Sequence, residues 1–252
     1  MGVDPHDLTE LSSPDQIAAG LVRTSVDALR YDVHLLDPDE VAGIVASFVP
    51  KGSRVLDVGC GTGLLGQMLS QGHGVEVVGI EPDAVRAELA TARGMQVHVG
   101  YFSHHLIQEV GSFDIVLFAD VLEHVPNPQS ALVLSREVLN PHGAVIISVP
   151  NVVHWAVRVE VIRGKFRYQP CGIMDATHLR WFTAESAKSL LTSAGFKIIQ
   201  YRATAGSDLP ENLCRLPLRW VPANARTRFL RVASKYWPSL FGAQHVFKAE
   251  MV

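Results

Sequence analysis

The sequence predicts an α/β domain in which a mostly parallel sheet carries helices on both faces. Short β-branched runs alternate with helix-like stretches between residues 54 and 150, which is the pattern of successive βαβ units. The first apolar run leads directly into a glycine-rich loop, and a helix-like stretch follows that loop. A chain of 252 residues with 48% hydrophobic and 19% charged side chains is long and apolar enough for one domain with a sizeable core.

Composition excludes several protein classes. The net charge is only −3, and glycine and proline are spread along the chain, so a disordered tail, a collagen-like repeat and a coiled coil are not expected. No apolar run approaches the roughly 18 residues of a membrane helix, and the acidic N-terminus lacks the pattern of a signal peptide. Three cysteines without metal-knuckle spacing favour a reducing, cytoplasmic compartment.

Apolar periodicity predicts seven strands and three helices between them. The strands are Arg54–Val58, Glu76–Glu81, Gln96–Gly100, Phe113–Ala119, Ala144–Pro150, Phe196–Arg202 and Gln244–Ala249. The helices are Leu64–Gln71, Asp83–Arg93 and Pro128–Leu139. Residues 14–47 predict one or two more helices, started by Ser13-Pro14 and by Asp37-Pro38, because a capping side chain before proline is typical of a helix N-terminus. We therefore expect a helical cap over residues 1–50 and the sheet domain over residues 51–252.

Two stretches interrupt the alternation of strands and helices. Residues 151–182 and 203–243 are rich in aromatic and basic side chains, and connections of this length are usually functional lids or carry their own helices. The charge is correspondingly uneven, with −12 on residues 1–150 and +9 on residues 151–252. The basic half predicts either contact with an anionic substrate or surface, or a solvated face that balances the acidic half.

The strongest motif is the glycine loop of residues 55–63, V-L-D-V-G-C-G-T-G. Glycine at every second position lets the backbone bend sharply and approach a ligand closely, and the following helix offers free N–H groups. The third glycine, Gly63, arrives one residue earlier than in the dinucleotide pattern, which disfavours a pyrophosphate. Glu81 ends the second strand, where a carboxylate can accept both hydrogen bonds of a ribose diol. Loop and acid together predict a nucleoside site, and a tight structural turn beside a surface acid is the alternative.

Four motifs in combination resemble the class I S-adenosylmethionine-dependent methyltransferases. They are V-L-D-V-G-C-G-T-G (55–63), G-I-E-P (79–82), F-D-I-V (113–116) and L-N-P-H-G-A (139–144), and the resemblance covers residues 50–201. It implies a Rossmann-like, seven-stranded, mostly parallel sheet whose last strand is antiparallel. Residues 203–243 then form a helical insertion before that last strand.

The resemblance also implies the cofactor contacts, position by position. Asp57 would lie near the amino-acid part of S-adenosylmethionine, Glu81 would hold the ribose hydroxyls, and Pro82 would lie beside the adenine. Tyr101 and Phe102 stand where relatives contact the adenine, with packing into the core as the alternative for both. The residues expected to line the cofactor are Asp57, Gly59, Cys60, Gly61, Gly63, Glu81, Pro82, Tyr101, Phe102, Asp120 and Val121.

Residues 119–128, A-D-V-L-E-H-V-P-N-P, follow the fourth predicted strand. In open α/β sheets the reactive end of a ligand sits at the carboxyl ends of the strands, so we expect Asp120, Glu123 and His124 to face the reactive methyl group. The two prolines predict a loop over residues 120–127, with Asn127 capping a helix that begins at Pro128.

Methyl transfer requires alignment of the reacting groups and exclusion of water, and a hydroxyl acceptor also benefits from a base. His124 is the first candidate because the ordinary pKa of an imidazole lies near neutrality. His178, in D-A-T-H-L-R-W-F-T (175–183), is the second, and Asp120 completes the candidate catalytic set. Structural hydrogen bonds are the alternative role for both histidines.

A divalent ion is a further hypothesis. Ubiquinone-pathway O-methyltransferases and small-RNA terminal-ribose methyltransferases carry a similar E-x-x-E-H segment and a downstream histidine that bind such an ion. The corresponding residues here are Asp120, Glu123, His124 and His178. The pattern departs from the family because Asp120 is shorter than glutamate and a second downstream histidine is absent. Carboxylates with imidazole suit a hard-to-borderline cation, yet a metal is not favoured because most members of the fold use none.

The resemblance also implies that residues 151–182 lie where the family builds its acceptor pocket. Aromatic rings and arginines suit a sugar, a phosphorylated group or an aromatic acceptor. The same composition allows peripheral contact with a membrane or a lipid-linked substrate, whereas no RNA-binding module is visible and nucleic acid is not expected. The candidate substrate-binding residues are Asn151, Trp155, Arg158, Tyr168 and Arg180.

The sequence therefore predicts an S-adenosylmethionine-dependent methyltransferase acting on a small molecule, with a hydroxyl of a sugar, glycan or natural product as the acceptor. The alternatives are N-methylation of an amino sugar, a quinone-type or RNA-ribose-type O-methyltransferase, and a non-catalytic cofactor-binding partner protein. The sequence leaves the oligomeric state open.

Overall fold

The computed structural model describes residues 37–206 and 220–252. The strands are β1 Arg54–Val58, β2 Glu76–Glu81, β3 Gln96–Val99, β4 Phe113–Ala119, β5 Leu139–Pro150, β6 Phe196–Ala203 and β7 Gln244–Met251. The helices are α1 Val41–Phe48, α2 Leu64–His73, α3 Ala84–Ala92, α4 His104–Val110, α5 Pro128–Ser135, α6 Trp155–Ile162, α7 Ala184–Ser193, α8 Ala223–Tyr236 and α9 Pro238–Phe241.

The strands form one sheet in the order β3-β2-β1-β4-β5-β7-β6. Strands β1 to β5 are parallel to one another, and β7 runs antiparallel to both β5 and β6. The predicted Rossmann-like, mostly parallel sheet with an antiparallel last strand is confirmed. The chain reverses its direction across the sheet at β1 and β4, so the loops after these two strands meet at the topological switch point.

Helices cover both faces of the sheet because successive strand residues point to opposite sides. In β1, Val55 belongs to the apolar cluster under α1, α2 and α3, whereas Leu56 belongs to the cluster under α4, α5 and α7. Both side chains are fully buried. The two-sided core holds the strand ends rigidly, which is what a precisely shaped site at those ends requires.

The boundary between α5 and β5 differs from the prediction. A helix was expected over Pro128–Leu139, but α5 ends at Ser135 and β5 begins at Leu139. Leu139 pairs with Phe113 of β4, and the register shifts between Phe113 and Ile115. Pairing with a strand distant in sequence overrides the local helical pattern here.

The predicted helix start at Asp37-Pro38 is wrong by three residues. Glu40 is the N-cap of α1, and Asp37 instead accepts a hydrogen bond from the backbone N–H of Asp39 (2.9 Å) and pairs with Arg231 of α8. The helices predicted before residue 37 lie outside the described residues.

The connection between β6 and β7 carries helices α8 and α9. Arg202 and Arg231 both pair with Asp39, which holds this connection against the start of α1. Among the described residues, no helix is long and apolar enough to cross a bilayer.

Candidate active site

The glycine loop bends away from β1 and is tied to the neighbouring strand. Gly59, Gly61 and Gly63 have φ angles of +72°, +56° and +78°, a conformation that residues with a Cβ adopt only under strain. The backbone N–H groups of Gly59 and Cys60 donate to the carbonyl of Ile80 at 2.7 and 3.1 Å. The loop is therefore fixed at the end of β2.

The three glycines differ in what surrounds them. A Cβ on Gly59 would lie 2.8 Å from Val121 Cγ2, and a Cβ on Gly63 would lie 2.7 Å from Ala90 Cβ. A Cβ on Gly61 would meet no atom of the described residues within 4 Å. The loop is thus packed at both ends and open at its middle, which leaves room for a ligand to approach the backbone of Gly61.

Glu81 is the acidic residue at the end of β2. Its carboxylate accepts hydrogen bonds from the N–H groups of Gly61 (Oε2, 2.8 Å) and Asp83 (Oε1, 3.0 Å), and the residue is buried. A carboxylate has about four acceptor positions, so each oxygen keeps capacity for a further donor such as a ribose hydroxyl. These bonds hold Glu81 against the loop, as the nucleoside prediction requires.

Asp57 and Cys60 are buried beside Glu81. Burial, and secondarily the charge of Glu81, raises the pKa of the Asp57 carboxyl to about 7. Burial also raises the pKa of the Cys60 thiol, whose sulfur lies 2.5 Å from where a Cβ on Gly79 would stand. Cys60 therefore packs against β2 in its unreactive thiol form. The Asp57 carboxyl can pair with a cationic group when it is ionised.

The two predicted adenine contacts have different environments. Tyr101 is 80% exposed, so the alternative of core packing is excluded for this residue. The Phe102 ring packs edge-to-face on Phe118 with centroids 5.8 Å apart. Ser103 next to them caps α4 by accepting from the N–H of Leu106.

The segment after β4 forms a loop with one short turn. Leu122–His124 is a 3₁₀-helix, and Asn127 accepts a hydrogen bond from Ser130 N (3.1 Å) as the N-cap of α5, which begins at Pro128. The predicted loop and the predicted cap are both confirmed. Val121 covers Gly59 and so joins this loop to the glycine loop.

Asp120 begins this loop and is held by two neighbouring strands. Ser148 Oγ of β5 donates to Asp120 Oδ1 (2.6 Å), and Gln244 Nε2 of β7 donates to Asp120 Oδ2 (2.8 Å). Burial raises the pKa of the Asp120 carboxyl, while these two hydrogen bonds oppose the rise.

Glu123, His124 and His178 come together beside this loop. One ligand atom from each lies within 4.8 Å of the others, and Asp120 is not part of this group. Glu123 is fully buried, and neither of its carboxylate oxygens has a hydrogen-bond partner within the described part of the chain. Burial, followed by the charge of Asp120, raises the pKa of Glu123 well above its usual range.

Backbone carbonyls orient both imidazoles. His124 Nδ1 lies 3.1 Å from the carbonyl oxygen of Thr177, and His178 Nδ1 lies 3.1 Å from that of Ile173. A carbonyl oxygen only accepts, so in both hydrogen bonds Nδ1 carries the proton. The neutral form of each ring then has its lone pair on Nε2, which is the arrangement of a general base or a metal ligand. The ring centroids are 4.9 Å apart.

The D-A-T-H-L-R segment is clamped onto the 3₁₀ turn. The N–H groups of Leu179 and Arg180 both donate to the carbonyl of Glu123, at 2.8 and 3.0 Å. Arg180 Nη2 donates to the carbonyl of Pro126 at 2.7 Å. The structure thus brings together the two histidines that the sequence singled out, although 54 residues separate them along the chain.

The predicted substrate-binding residues divide into two groups. The Asn151 amide nitrogen donates to the carbonyls of Ser239 (3.1 Å) and Gly242 (2.8 Å), and Arg158 Nε donates to the carbonyl of Val153. These two side chains secure α6 and α9. Trp155 is partly buried at the start of α6.

Tyr168 belongs to an exposed aromatic group. Its ring contacts those of Phe166 and Trp181, with centroid distances of 5.8 and 6.2 Å. Sequence reasoning did not single out Trp181, nor Ser148 and Gln244. For Gln244 no local signal exists, because its contact with Asp120 spans 124 residues.

Comparison with known proteins agrees with this geometry. The family model described as "Methyltransferase domain" matches residues 34–201. The chain is 30% identical over 145 residues to a ubiquinone biosynthesis O-methyltransferase of Xanthomonas axonopodis, which covers 56% of this chain and 61% of that protein. It is 32% identical over 124 residues to a ubiquinone biosynthesis O-methyltransferase of Coxiella burnetii, and this match covers 47% of this chain and 53% of that protein. The chain therefore spans less than two thirds of the length of these curated relatives.

Solved structures share the fold. A possible histamine N-methyltransferase of Thermotoga maritima superposes with a TM-score of 0.55 at 19% identity, covering 84% of this chain and 87% of that one. The [4+2]-cyclase SpnF superposes with a TM-score of 0.54 at 20% identity, covering 84% and 80%. The family model matches two thirds of this chain. The chain therefore belongs to the methyltransferase domain family, within the class I S-adenosylmethionine-dependent methyltransferases.

Proposed function

We propose that the protein transfers the methyl group of S-adenosylmethionine to a hydroxyl of a small-molecule acceptor. The observation that carries the proposal is the pair His124 and His178, whose Nδ1 atoms face the carbonyl oxygens of Thr177 and Ile173 and whose ring centroids lie 4.9 Å apart beside the loop after β4. This arrangement suits acceptance of a proton from a hydroxyl, whereas an amine acceptor that is already neutral needs no such base.

The chain's own residues divide the work. When bound, S-adenosylmethionine supplies a methyl carbon activated by its positive sulfur. Gly61 and Glu81 hold the nucleoside, and Val121 closes the crevice over Gly59. His124 Nε2 takes the hydroxyl proton as the acceptor oxygen attacks, and the carbonyl of Thr177 keeps the imidazole in the required tautomer.

Replacing Glu81 by alanine should weaken cofactor binding without unfolding the chain. Loss of a carboxylate acceptor for the ribose hydroxyls is expected to cost roughly 1.5–3 kcal/mol, or about 10- to 150-fold in Kd. Isothermal titration with S-adenosylhomocysteine measures the effect. Glu76→Ala is the control, because Glu76 lies exposed at the other end of β2 and pairs with Arg54. Equal affinities for the parent and Glu81→Ala would show that the ribose is held elsewhere.

Cofactor affinity should rise with pH through neutrality. The pKa of the buried Asp57 carboxyl is about 7, and the ammonium group of the cofactor favours its ionised form. The ionised fraction of such a group grows from about a tenth at pH 6 to about nine tenths at pH 8, so S-adenosylhomocysteine should bind about tenfold more tightly at pH 8. Asp57→Asn should bind weakly with a flat pH profile. A flat profile for the parent would place the ammonium away from Asp57.

Two acceptor classes are supported. A sugar, glycan or natural-product hydroxyl fits the aromatic and arginine side chains around Tyr168 and Arg180. A phenolic acceptor of the quinone type is supported by the names of the curated relatives.

Peripheral contact with a membrane or lipid-linked acceptor is supported by one exposed loop. The end of α6 and the residues after it combine apolar side chains that are 51–85% exposed with basic neighbours. The residues are Ile162, Arg163, Lys165, Phe166, Arg167 and Tyr168. Cosedimentation with phosphatidylglycerol vesicles tests this, and Phe166→Asp should reduce the bound fraction. Binding unaffected by that change would remove the loop from any interface.

A divalent ion fits the same cluster as a second candidate arrangement. Glu123, His124 and His178 would hold it, since neither carboxylate oxygen of Glu123 has a hydrogen-bond partner among the described residues and both histidines are oriented through Nδ1. The ion would supply a Lewis acid that lowers the pKa of the acceptor hydroxyl. Turnover that survives thorough chelation, with no gain from added Mg²⁺ or Mn²⁺, would leave His124 as the base.

The direct test of function is transfer of a labelled methyl group. The protein is incubated with methyl-labelled S-adenosylmethionine and, separately, with nucleotide sugars, lipid-linked glycans and polyprenyl catechols, and products are identified by mass. We expect an O-methylated product from one class, and loss of at least about 100-fold in turnover for His124→Ala with cofactor affinity retained. An N-methylated product, or full turnover in His124→Ala, would contradict the proposal.

A further inference from the structure

Asp120 adopts a backbone conformation that is unusual for a residue with a side chain. Its φ is +54°, and within residues 37–206 and 220–252 the only other non-glycine residue with positive φ is His142. Aspartate and asparagine tolerate this left-handed region better than other side chains do, but it still carries a cost that the surroundings must offset.

The surroundings of Asp120 provide three hydrogen bonds that offset this cost. Besides the two bonds to its carboxylate from Ser148 and Gln244, its own N–H donates to Ser148 Oγ at 2.9 Å. Ser148 is fully buried in β5, and Gln244 is the first residue of β7. Both carboxylate oxygens of Asp120 are thus tied to strands other than its own.

The turn fixed by these hydrogen bonds of Asp120 connects the two parts of the candidate active site, which are the glycine loop and the segment with Glu123 and His124. The next residue, Val121, covers Gly59 of the glycine loop, and the following 3₁₀-helix carries Glu123 and His124. Asp120 is outside the group of ligand atoms formed by Glu123, His124 and His178. Its position suits the alignment of its neighbours better than contact with an ion or an acceptor proton.

We propose that Asp120 is a positioning residue. Ser148 and Gln244 hold its carboxylate in place, so that the turn after β4 aligns Val121 with the glycine loop and His124 with the acceptor. What this role requires is the hydrogen-bond pattern, and the negative charge is dispensable. The measurements of kcat that test this role rest on the methyl transfer proposed above. The measurements of cofactor affinity and of unfolding do not depend on it.

A polarity exchange between Asp120 and Gln244 tests the proposal. Asp120→Asn keeps a side chain that tolerates positive φ, and the Gln244 amide can rotate to present its oxygen to the new amide N–H. We expect this variant to stay within about fivefold of the parent in kcat. Gln244→Glu places two carboxylates together and should lower kcat by at least about tenfold. The double variant replaces that repulsion with an amide-to-carboxylate hydrogen bond and should return to within about threefold of Asp120→Asn.

Three further measurements make the result decisive. Gln200→Glu introduces the same charge at an exposed position of β6 and should change nothing. Asp120→Ala should lower kcat and weaken S-adenosylhomocysteine binding together, because Val121 loses its position. If no acceptor supports turnover, S-adenosylhomocysteine affinity and the unfolding midpoint are measured for the same four proteins. Recovery of both quantities in the double variant relative to Gln244→Glu supports the proposal, whereas additive losses from the two substitutions overturn it. The proposal is also overturned if Asp120→Asn is as damaging as Asp120→Ala, since the carboxylate charge itself would then be required.

Discussion

Gly61→Ala should keep its fold and lose most of its affinity for S-adenosylmethionine. An alanine at φ +56° costs about 1–2 kcal/mol of folding free energy, and the new methyl group meets no atom of the described chain within 4 Å. The methyl would instead occupy the space in which we propose that the cofactor approaches the backbone. We expect Kd for S-adenosylhomocysteine to rise on the order of 100-fold, or about 2.7 kcal/mol, by isothermal titration.

Gly52→Ala is the matched control for this prediction. Gly52 lies in the turn before β1 with φ +73°, and a Cβ there also meets no atom within 4 Å in the part of the chain that the structure describes. The two variants should therefore lose similar folding stability in urea, while only Gly61→Ala loses cofactor affinity. Equal cofactor affinities in the two variants would mean that the ligand does not pass over Gly61.

Glu123→Met should stabilise the chain in the presence of a chelator. The change removes a buried carboxyl group that has no hydrogen-bond partner among the described residues and replaces it with an apolar side chain of similar size. Relief of an unsatisfied buried group is worth about 1–3 kcal/mol, which raises the melting temperature by several degrees in a domain of this size. Differential scanning calorimetry in EDTA measures the shift, with Glu88→Met, at an exposed position of α3, as the control.

The same variant distinguishes the two arrangements of the candidate active site. If Glu123, His124 and His178 bind a divalent ion, Mn²⁺ at 100 times its Kd should stabilise the parent by about 2.7 kcal/mol and leave Glu123→Met unchanged. If His124 acts as a base without an ion, Mn²⁺ should shift neither protein. A fall in stability of Glu123→Met in EDTA would show that the carboxylate makes a favourable contact, and the account of this cluster would be wrong.

Local chemistry made some elements predictable. The glycine loop, the Asn127 cap before Pro128 and the bounds of β1, β2 and β4 follow from short-range signals, because they depend on glycine conformations, side-chain capping and uninterrupted apolar runs. The carboxyl ends of neighbouring parallel strands meet by necessity, so the approach of the segment after β4 to the loop after β1 was predictable as well.

Local sequence patterns could not predict the contacts between segments that are distant along the chain. Asp37 pairs with Arg231, which is 194 residues away, and this pairing accompanies a helix start three residues later than expected. The early start of β5 reflects its pairing with β4. The link from Asp120 to Gln244 has no local signature either, and it changes the interpretation of Asp120 from a reacting group to a positioning residue.

A crystal structure grown with saturating S-adenosylhomocysteine tests the central claim most directly. We expect the ribose hydroxyls within hydrogen-bond distance of Glu81, the backbone of Gly61 against the ligand, and the thioether sulfur directed towards His124. A ligand bound elsewhere, or a crevice at Gly61 and Glu81 filled by protein side chains at full ligand saturation, would contradict it.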